Sequence, residues 1–223
     1  MEEKTVRKME FLTIEEFSEE RFTERKSLFI GRALPVNSED EARKFIEEIK
    51  EKHNDATHNV FAYSIENRIT RMSDDGEPSG TAGRPVLEAI MQKKLTNVCV
   101  VVTRYFGGIL LGAGGLIRAY RKAAELCLNK ATIITVKKIP VYSVTVSYEH
   151  WSRILKLANN LGLPQREPVY LQEVTGYFGV IPELEEKFLR EVIDLSVGQA
   201  KIQIEGDMLV KYREGKYLPV LRG

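Results

Sequence analysis

Residues 97–131 read NVCVVVTRYFGGILLGAGGLIRAYRKAAELCLNKA, and this stretch decides the fold of the first half of the chain. It opens with a continuous apolar run, which is typical of a short β-strand buried on both faces. Five glycines follow within residues 107–115. The stretch ends with apolar residues spaced to share one helix face, namely Leu116, Ile117, Tyr120, Ala124, Cys127 and Leu128. We therefore predict a buried strand, a glycine-rich loop and a helix over 116–131.

A second loop and helix precede this stretch, where residues 73–90 read SDDGEPSGTAGRPVLEAI. The acids and the first glycine suit a tight turn. Pro85 suits the first turn of a helix, and Ser79 or Thr81 can cap that helix. We predict a helix over residues 84–95.

The rest of the first half mixes helix and strand signals. Residues 9–14 and 21–36 are predicted to be extended. Residues 38–55 predict a helix that Ser38 can cap, with a buried stripe of Ala42, Phe45, Ile46 and Ile49. HNVFAYSI (58–65) and RITRMS (68–73) predict a β-hairpin.

The second half begins near residue 139, after a basic pair and before a proline. Its patterns predict the order βαββαβ, which is a ferredoxin-like unit. The predicted elements are strand 140–148, helix 150–161, strands 166–172 and 174–181, helix 183–195 and strand 199–205, with one more strand in the tail 207–223. The chain is thus predicted to be an α+β protein with domains 1–138 and 139–223.

The charge of the chain is unevenly distributed. The 223 residues have a formal net charge of +1, yet residues 79–138 hold ten Lys/Arg and two Asp/Glu, a net of +8. Residues 1–78 carry −6, and residues 139–223 carry −1. Such a basic block can form an anion-binding face. The alternative is that the acidic segment folds beside it and neutralises it.

Several features indicate a soluble, cytoplasmic protein. The N-terminus MEEKTVRKMEF lacks an apolar signal-peptide core, and the apolar runs are too short to span a bilayer. Cys99 and Cys127 have neither CxxC spacing nor a nearby histidine, so we predict buried structural thiols. No membrane partner is predicted, and the oligomeric state is left open.

Both glycine-containing loops enter a helix, and this geometry offers backbone N–H groups to an anion. Neither loop has the GxxxxGK[ST] or GxGxxG spacing, so neither a P-loop nor a dinucleotide site is expected, and no cofactor is predicted. The aromatic pair Tyr105 and Phe106 offers stacking surface, although we expect at least one ring to be core. The predicted anion- or nucleic-acid-binding residues are Ser79, Gly80, Thr81, Gly83, Arg84, Arg104, Tyr105, Gly107, Gly108, Gly114, Arg118 and Arg121.

Two other function classes compete with anion binding. The first is a hydrolase in which Asp74, Asp75 or Glu77 acts as a base or metal ligand, with His58 as a partner. These are weak catalytic candidates, and no metal site is predicted because the calcium-loop spacing DxDxDG is absent. The second is a protein-interaction module that uses the open sheet face of the ferredoxin-like domain.

Three segments together resemble the YigZ/IMPACT family. They are DATHNVFAYSI (55–65), SDDGEPSGTAGRPVLEAI (73–90) and VVVTRYFGGILLGAGGLIRAY (100–120). The resemblance covers most of residues 20–130, and residues 140–206 are similar to the smaller C-terminal domain of the bacterial members.

The resemblance implies an N-terminal α+β domain like the second domain of small-subunit ribosomal protein five. It also implies a ferredoxin-like C-terminal domain similar to domain five of elongation factor G. Eukaryotic members regulate translation initiation, and bacterial members are implied to associate with RNA or the ribosome. Our leading hypothesis is therefore a non-enzymatic RNA- or ribosome-binding factor in translation or its regulation.

Overall fold

The computed structural model describes residues 10–213 and 216–218. Its contacts divide the chain into two compact units, Phe11–Ile134 and a second unit that begins at Thr135 and includes Glu10. Both units combine helices with a sheet, so the predicted α+β class is confirmed. The predicted domain boundary at 138/139 lies four residues after the division between the two units at 134/135 and stays a prediction.

The N-terminal unit is built on a five-stranded antiparallel sheet in the order β2-β3-β6-β4-β5. A short strand β1 precedes the sheet, and three helices complete the unit. The elements are β1 (Glu10–Ile14), β2 (Ser18–Glu24), β3 (Ser27–Pro35), α1 (Glu39–Lys52), β4 (His58–Ile65), β5 (Ile69–Ser73), α2 (Gly83–Gln92), β6 (Val98–Tyr105) and α3 (Gly112–Lys130).

The central strand β6 is buried on both faces, as predicted from its continuous apolar run. Val98, Val100 and Val102 belong to the core that α2 and α3 cover. Cys99 and Val101 belong to the core that α1 covers. Because side chains alternate along a strand, this one strand divides the unit into three layers, with α1 on one side of the sheet and α2 and α3 on the other.

Three details of the predicted elements are wrong. The extended segment 21–36 is two strands, because the chain turns at Arg25 and Lys26, both with positive φ. Helix α3 begins at Gly112, four residues earlier than predicted, so its glycines belong to the first helical turn. Ile117 is not buried with the rest of its predicted face.

The prediction for α1 is confirmed, including its cap. Ser38 accepts a hydrogen bond from the Glu41 backbone N–H, and the stripe of Ala42, Phe45, Ile46 and Ile49 is buried. The hairpin between β4 and β5 is confirmed as well, since Glu66 and Asn67 both adopt positive φ at its turn.

The second unit has the predicted βαββαβ order. Its elements are β7 (Ile133–Val146), α4 (Tyr148–Asn160), β8 (Gln165–Tyr170), β9 (Val174–Gly179), α5 (Pro182–Leu195), β10 (Lys201–Arg213) and β11 (Lys216–Tyr217). The strand order β11-β10-β7-β9-β8 is antiparallel throughout and contains the ferredoxin-like arrangement. The predicted tail strand is the extension of β10 to Arg213 together with β11. No helix among the described residues is long and apolar enough to cross a bilayer.

Sheet and helix lie close together at Gly31 in β3. A Cβ atom on this residue would lie 2.2 Å from the backbone oxygen of Ala123 in α3, which is far inside van der Waals contact. The alanine side chain has no room unless the helix moves away from the sheet.

We expect Gly31→Ala to lower the free energy of unfolding by about 1–3 kcal/mol, the usual cost of overpacking a core. Gly114→Ala is the matched control, because its Cβ would meet only the end of the flexible Arg118 side chain, at 3.5 Å. Urea unfolding of both variants checks this, and equal losses would contradict it.

Candidate functional site

The loop before α2 contains three acids whose carboxylates point to different partners. The Asp74 carboxylate lies at the N-terminus of α2, where it accepts hydrogen bonds from the backbone N–H groups of Gly80, Ala82 and Gly83 at 2.8–3.0 Å. Burial raises the pKa of this carboxyl group, but the three N–H donors outweigh burial and the net pKa is lowered. Asp74 thus occupies the anion position that the sequence assigned to a ligand.

The predicted cap of α2 is wrong, because the Asp74 carboxylate takes that position. Neither Ser79 nor Thr81 caps the helix, and the Thr81 hydroxyl donates instead to the Pro78 carbonyl at 2.6 Å. An ionised carboxylate is a stronger hydrogen-bond acceptor than a hydroxyl. Here Asp74 Oδ1 alone accepts from the N–H groups of both Ala82 and Gly83.

Asp75 ties the loop to α1 and β4. Its carboxylate accepts hydrogen bonds from Lys50 Nζ and from the Asn59 backbone N–H, both at 2.7 Å. Its backbone oxygen lies 2.7 Å from His58 Nδ1, which therefore donates to it. His58 thus contacts the acidic loop through the main chain of Asp75, and Asp75 performs a structural task.

Glu77 points inward and is only 8% exposed. Its Oε1 accepts hydrogen bonds from Arg104 Nη1 at 2.6 Å and from Tyr120 Oη at 2.7 Å. His58 Nε2 lies 3.8 Å from the same oxygen. Burial, followed by the charge of Glu77, raises the pKa of Tyr120, so its hydroxyl stays protonated and donates. We call Glu77, Arg104 and Tyr120 the buried triad.

Arg104 is enclosed by the protein and is only 5% exposed. Its guanidinium carbon lies 5.5 Å from the Phe29 ring centroid and 5.4 Å from that of Phe106. Because its charge is paired with Glu77, Arg104 is not available to a phosphate. The hydrolase hypothesis has no geometric support either, because the carboxylates of Asp74, Asp75 and Glu77 do not converge on a common site. No group of His, Cys, Asp and Glu in the described residues could hold a metal ion.

A second polar network, which the sequence did not indicate, lies on the α1 side of the sheet. Buried Arg32 donates to Glu19 Oε2 at 2.6 Å and to Thr103 Oγ1 at 2.9 Å. Its Nη2 lies 2.7 Å from His53 Nε2. His53 Nδ1 lies 2.8 Å from the hydroxyl of Tyr105.

The charge of Arg32 determines the protonation of His53. A guanidinium can only donate, so Nε2 accepts and Nδ1 carries the proton of the neutral imidazole. Burial and the Arg32 charge lower the pKa of His53. The Tyr105 hydroxyl in turn donates to Asp55 Oδ1 at 3.0 Å. Tyr105 is half-buried, and its hydroxyl is already engaged by two partners within the chain, His53 and Asp55.

Two adjacent turns form an exposed region that we call the tip, defined as residues 25–26 and 106–111. Leu110 is 80% exposed, Phe106 44% and Ile109 40%. A Cβ on Gly107 would lie 2.0 Å from the carbonyl carbon of Lys26, so only glycine lets the two turns meet. Of the pair Tyr105 and Phe106, it is Phe106 whose ring faces solvent.

Beside the tip lies a cavity of about 240 Å³ between β2 and α3, which we call the cationic cleft. It combines three cations with one acid and four uncharged residues. Its lining residues are Phe22, Glu24, Arg25, Leu111, Gly115, Arg118, Ala119 and Lys122. Lys122 Nζ lies 4.5 Å from the Phe22 ring centroid. Arg118 is exposed and makes no hydrogen bond or ion pair with any part of the chain that the structure describes.

The other predicted binding residues are divided between internal roles and open surface. Arg84 pairs with Glu88 at 3.0 Å, and Arg121 pairs with the same carboxylate. Gly108 is exposed within the tip, and Gly114 is exposed in the first turn of α3, where no side chain caps the helix. The anion-binding role of these residues stays a prediction.

Sequence reasoning missed Arg25, Lys26 and Lys122. The first two form a hairpin turn without the glycine or asparagine that usually indicates one. Lys122 lies one helical turn after Arg118, a spacing that does place both on one face. The sequence signal for Lys122 was therefore its i, i+4 spacing from Arg118.

Comparisons with known proteins give a consistent result. The family model described as Impact N-terminal domain matches residues 25–128. The protein named IMPACT family member YvyE of Bacillus subtilis is 44% identical over 146 residues, covering 65% of this chain and 67% of that protein. An IMPACT family member of Haemophilus influenzae is 30% identical over 185 residues, 81% of this chain and 89% of that one.

A third relative, IMPACT family member YigZ of Escherichia coli, is 36% identical over 130 residues. The match covers 56% of this chain and 63% of YigZ. A crystal structure described as that of an hypothetical protein superposes with a TM-score of 0.64 at 27% identity, over 86% of this chain and 96% of that chain. The two-unit fold therefore also occurs in a solved structure.

The buried triad generates a stability prediction. Glu77→Gln should lower the free energy of unfolding by about 3 kcal/mol, because it leaves the Arg104 charge buried without a counter-charge. The control Glu88→Gln weakens two partly exposed ion pairs, with Arg84 and Arg121, and should cost less than Glu77→Gln, about 1 kcal/mol. Urea unfolding compares the two. The double variant Glu77→Gln/Arg104→Gln should recover part of the loss, and a double variant worse than both singles would contradict this account.

His53 generates a prediction about pH. Its pKa is lowered in the folded protein and is about 6.5 in the unfolded chain, so the unfolded state takes up more protons as the pH falls below 7. The free energy of unfolding should therefore decrease between pH 7.5 and 5.5. Denaturation of wild type and His53→Gln at both pH values measures the effect. The decrease should be smaller in the variant, and an equal decrease would show that other groups cause it.

Proposed function

The chain belongs to the IMPACT family, and from this premise we propose that it is a non-enzymatic RNA- or ribosome-binding factor that acts in translation or its regulation. The family is related to the regulation of translation. We assign the contact with RNA to the tip and the cationic cleft of the N-terminal unit.

The observation that carries this proposal is the cationic cleft. Arg25, Arg118 and Lys122 face one concavity, and Glu24 is the one acid among its lining residues. Most other cations of the basic block that lie on α2 and α3 are paired with acids within the chain, as in the contacts of Glu88 with Arg84 and Arg121. On these two helices, the cations without an acidic partner among the described residues, Arg118 and Lys122, therefore both lie where a phosphate can enter.

The cleft also has the size and surroundings that a phosphate needs. A volume of about 240 Å³ is ample for a phosphate group and lies below the range of about 300–1,000 Å³ that is usual for pockets enclosing a drug-sized ligand. The exposed Phe106 ring at the neighbouring tip can stack on a base while the cleft holds the backbone. Phosphate contacts and stacking together are the usual means of binding single-stranded RNA.

A protein partner is a second candidate, which a groove in the second unit favours. The groove has a volume of about 910 Å³ and lies between α4 and the edge strand β8. Trp151 and Tyr170 line it, and Tyr170 stacks on exposed Tyr148 with ring centroids 6.4 Å apart. Co-purification with and without nuclease separates the candidates, because a protein contact survives nuclease and an RNA-mediated contact does not.

The RNA proposal predicts salt-dependent binding that depends on the cleft. Arg118→Glu and Lys122→Glu should each weaken binding several-fold, and each lost phosphate contact should reduce the slope of log K against log salt by about one. The control is Arg43→Glu, which changes an exposed cation of α1 on the other side of the sheet. Fluorescence anisotropy with a single-stranded and a hairpin RNA at 50 and 200 mM salt makes the measurement. Wild-type protein without salt-sensitive binding to either RNA would overturn the proposal.

A further inference from the structure

We propose that the tip acts as an apolar wedge, in which Leu110 and Ile109 insert between bases of RNA at a bulge or loop while the cleft cations hold the adjacent phosphates. This inference rests on the proposed function and deepens it, because it specifies which form of RNA the site selects. The anion-binding residues alone make no such selection.

The first support is the exposure of the tip. Leu110 is 80% exposed, and Ile109 follows the exposed Phe106 by three residues. Large aliphatic side chains at a loop apex contribute nothing to the core. Together they form a narrow apolar projection that water solvates poorly.

The second support is that the tip is held in place at several points. The Phe106 backbone N–H donates to Thr57 Oγ1 at 2.9 Å, and the Gly107 N–H donates to Ser27 Oγ at 3.2 Å. Arg25 Nη1 donates to the Leu110 carbonyl at 3.3 Å. The projection is therefore formed before any ligand binds, and insertion does not pay the entropy of ordering a loop.

The third support is the charge around the projection. Arg25 and Lys26 belong to the tip itself, and Arg118 and Lys122 line the cleft beside it. An apolar apex surrounded by cations fits a partner that is anionic outside and apolar inside. Stacked bases between phosphate backbones have this composition, and proteins that insert Leu, Ile or Phe between base steps use it.

An anionic lipid surface has a related composition, and two features favour RNA over it. The cations of the cleft line a concavity, which a single phosphate group enters more readily than a flat bilayer does. The apolar projection is also much smaller than the continuous apolar face that anchors a helix in a lipid interface.

Insertion costs least where bases are already unpaired. Unstacking a base step in a continuous duplex costs a few kcal/mol, and this cost is lower at a mismatch or an unpaired site. The wedge should therefore give preference for a bulged hairpin over a fully paired duplex of the same length.

The experiment uses the whole 223-residue chain and two hairpin RNAs of equal length, one with a two-nucleotide bulge. A 2-aminopurine placed next to the bulge fluoresces more strongly when it becomes unstacked. Wild type should prefer the bulged RNA several-fold and raise the fluorescence. Leu110→Ser should lose both effects and keep the salt-dependent binding to the duplex. Leu171→Ser, which changes an exposed leucine of the second unit, should behave as wild type.

The outcomes separate the two proposals. If wild type binds no RNA, both the proposed function and the wedge are overturned. If Leu110→Ser binds RNA and still raises the fluorescence, only the wedge is overturned. Binding of wild type to vesicles of phosphatidylserine and phosphatidylcholine, lost in Leu110→Ser without any change in RNA preference, would assign the tip to lipid and overturn the wedge as well.

Discussion

The buried ion pair between Glu77 and Arg104 is the constraint on which the N-terminal unit depends. A charge inside a protein must have a counter-charge, because an isolated one costs several kcal/mol. Glu77 lies in the loop before α2, Arg104 near the end of β6, and Tyr120 in α3. One carboxylate oxygen therefore fixes three segments that are far apart in the sequence. The contact therefore positions the loop before α2 and the turn that follows β6.

The same constraint determines which cations remain for a ligand. The basic block looked available as a whole, yet Arg104 neutralises Glu77 and Glu88 holds Arg84 and Arg121. On α2 and α3, the cations without an acidic partner in the part of the chain that the structure describes are Arg118 and Lys122, and both line the cleft beside Arg25, which lies on a hairpin turn from the acidic half of the sequence. The charge distribution along the chain thus directs the proposal to the N-terminal unit, and ion pairing in three dimensions narrows it to this surface.

Most of the fold could be predicted from the sequence, because its signals are short in range. The apolar run of β6, the Ser38 cap and the βαββαβ order are all local patterns. The destinations of the three acids could not be predicted in this way. Asp74 serves N–H groups six to nine residues away, and Arg32 meets partners 13, 71 and 21 residues away in sequence. No local spacing encodes such contacts, and the same residues suit a turn, a cap or a catalytic acid.

Because Gly107 packs directly on the backbone of Lys26, the two turns of the tip form one rigid unit. The basic turn and the apolar turn meet without any side chain between them, so neither can shift far without moving the other. A force applied to one is transmitted to the other through main-chain atoms, which are the least compliant part of a protein. A ligand that grips the cations therefore also sets the angle of the leucine, and one that holds the leucine aligns the cations.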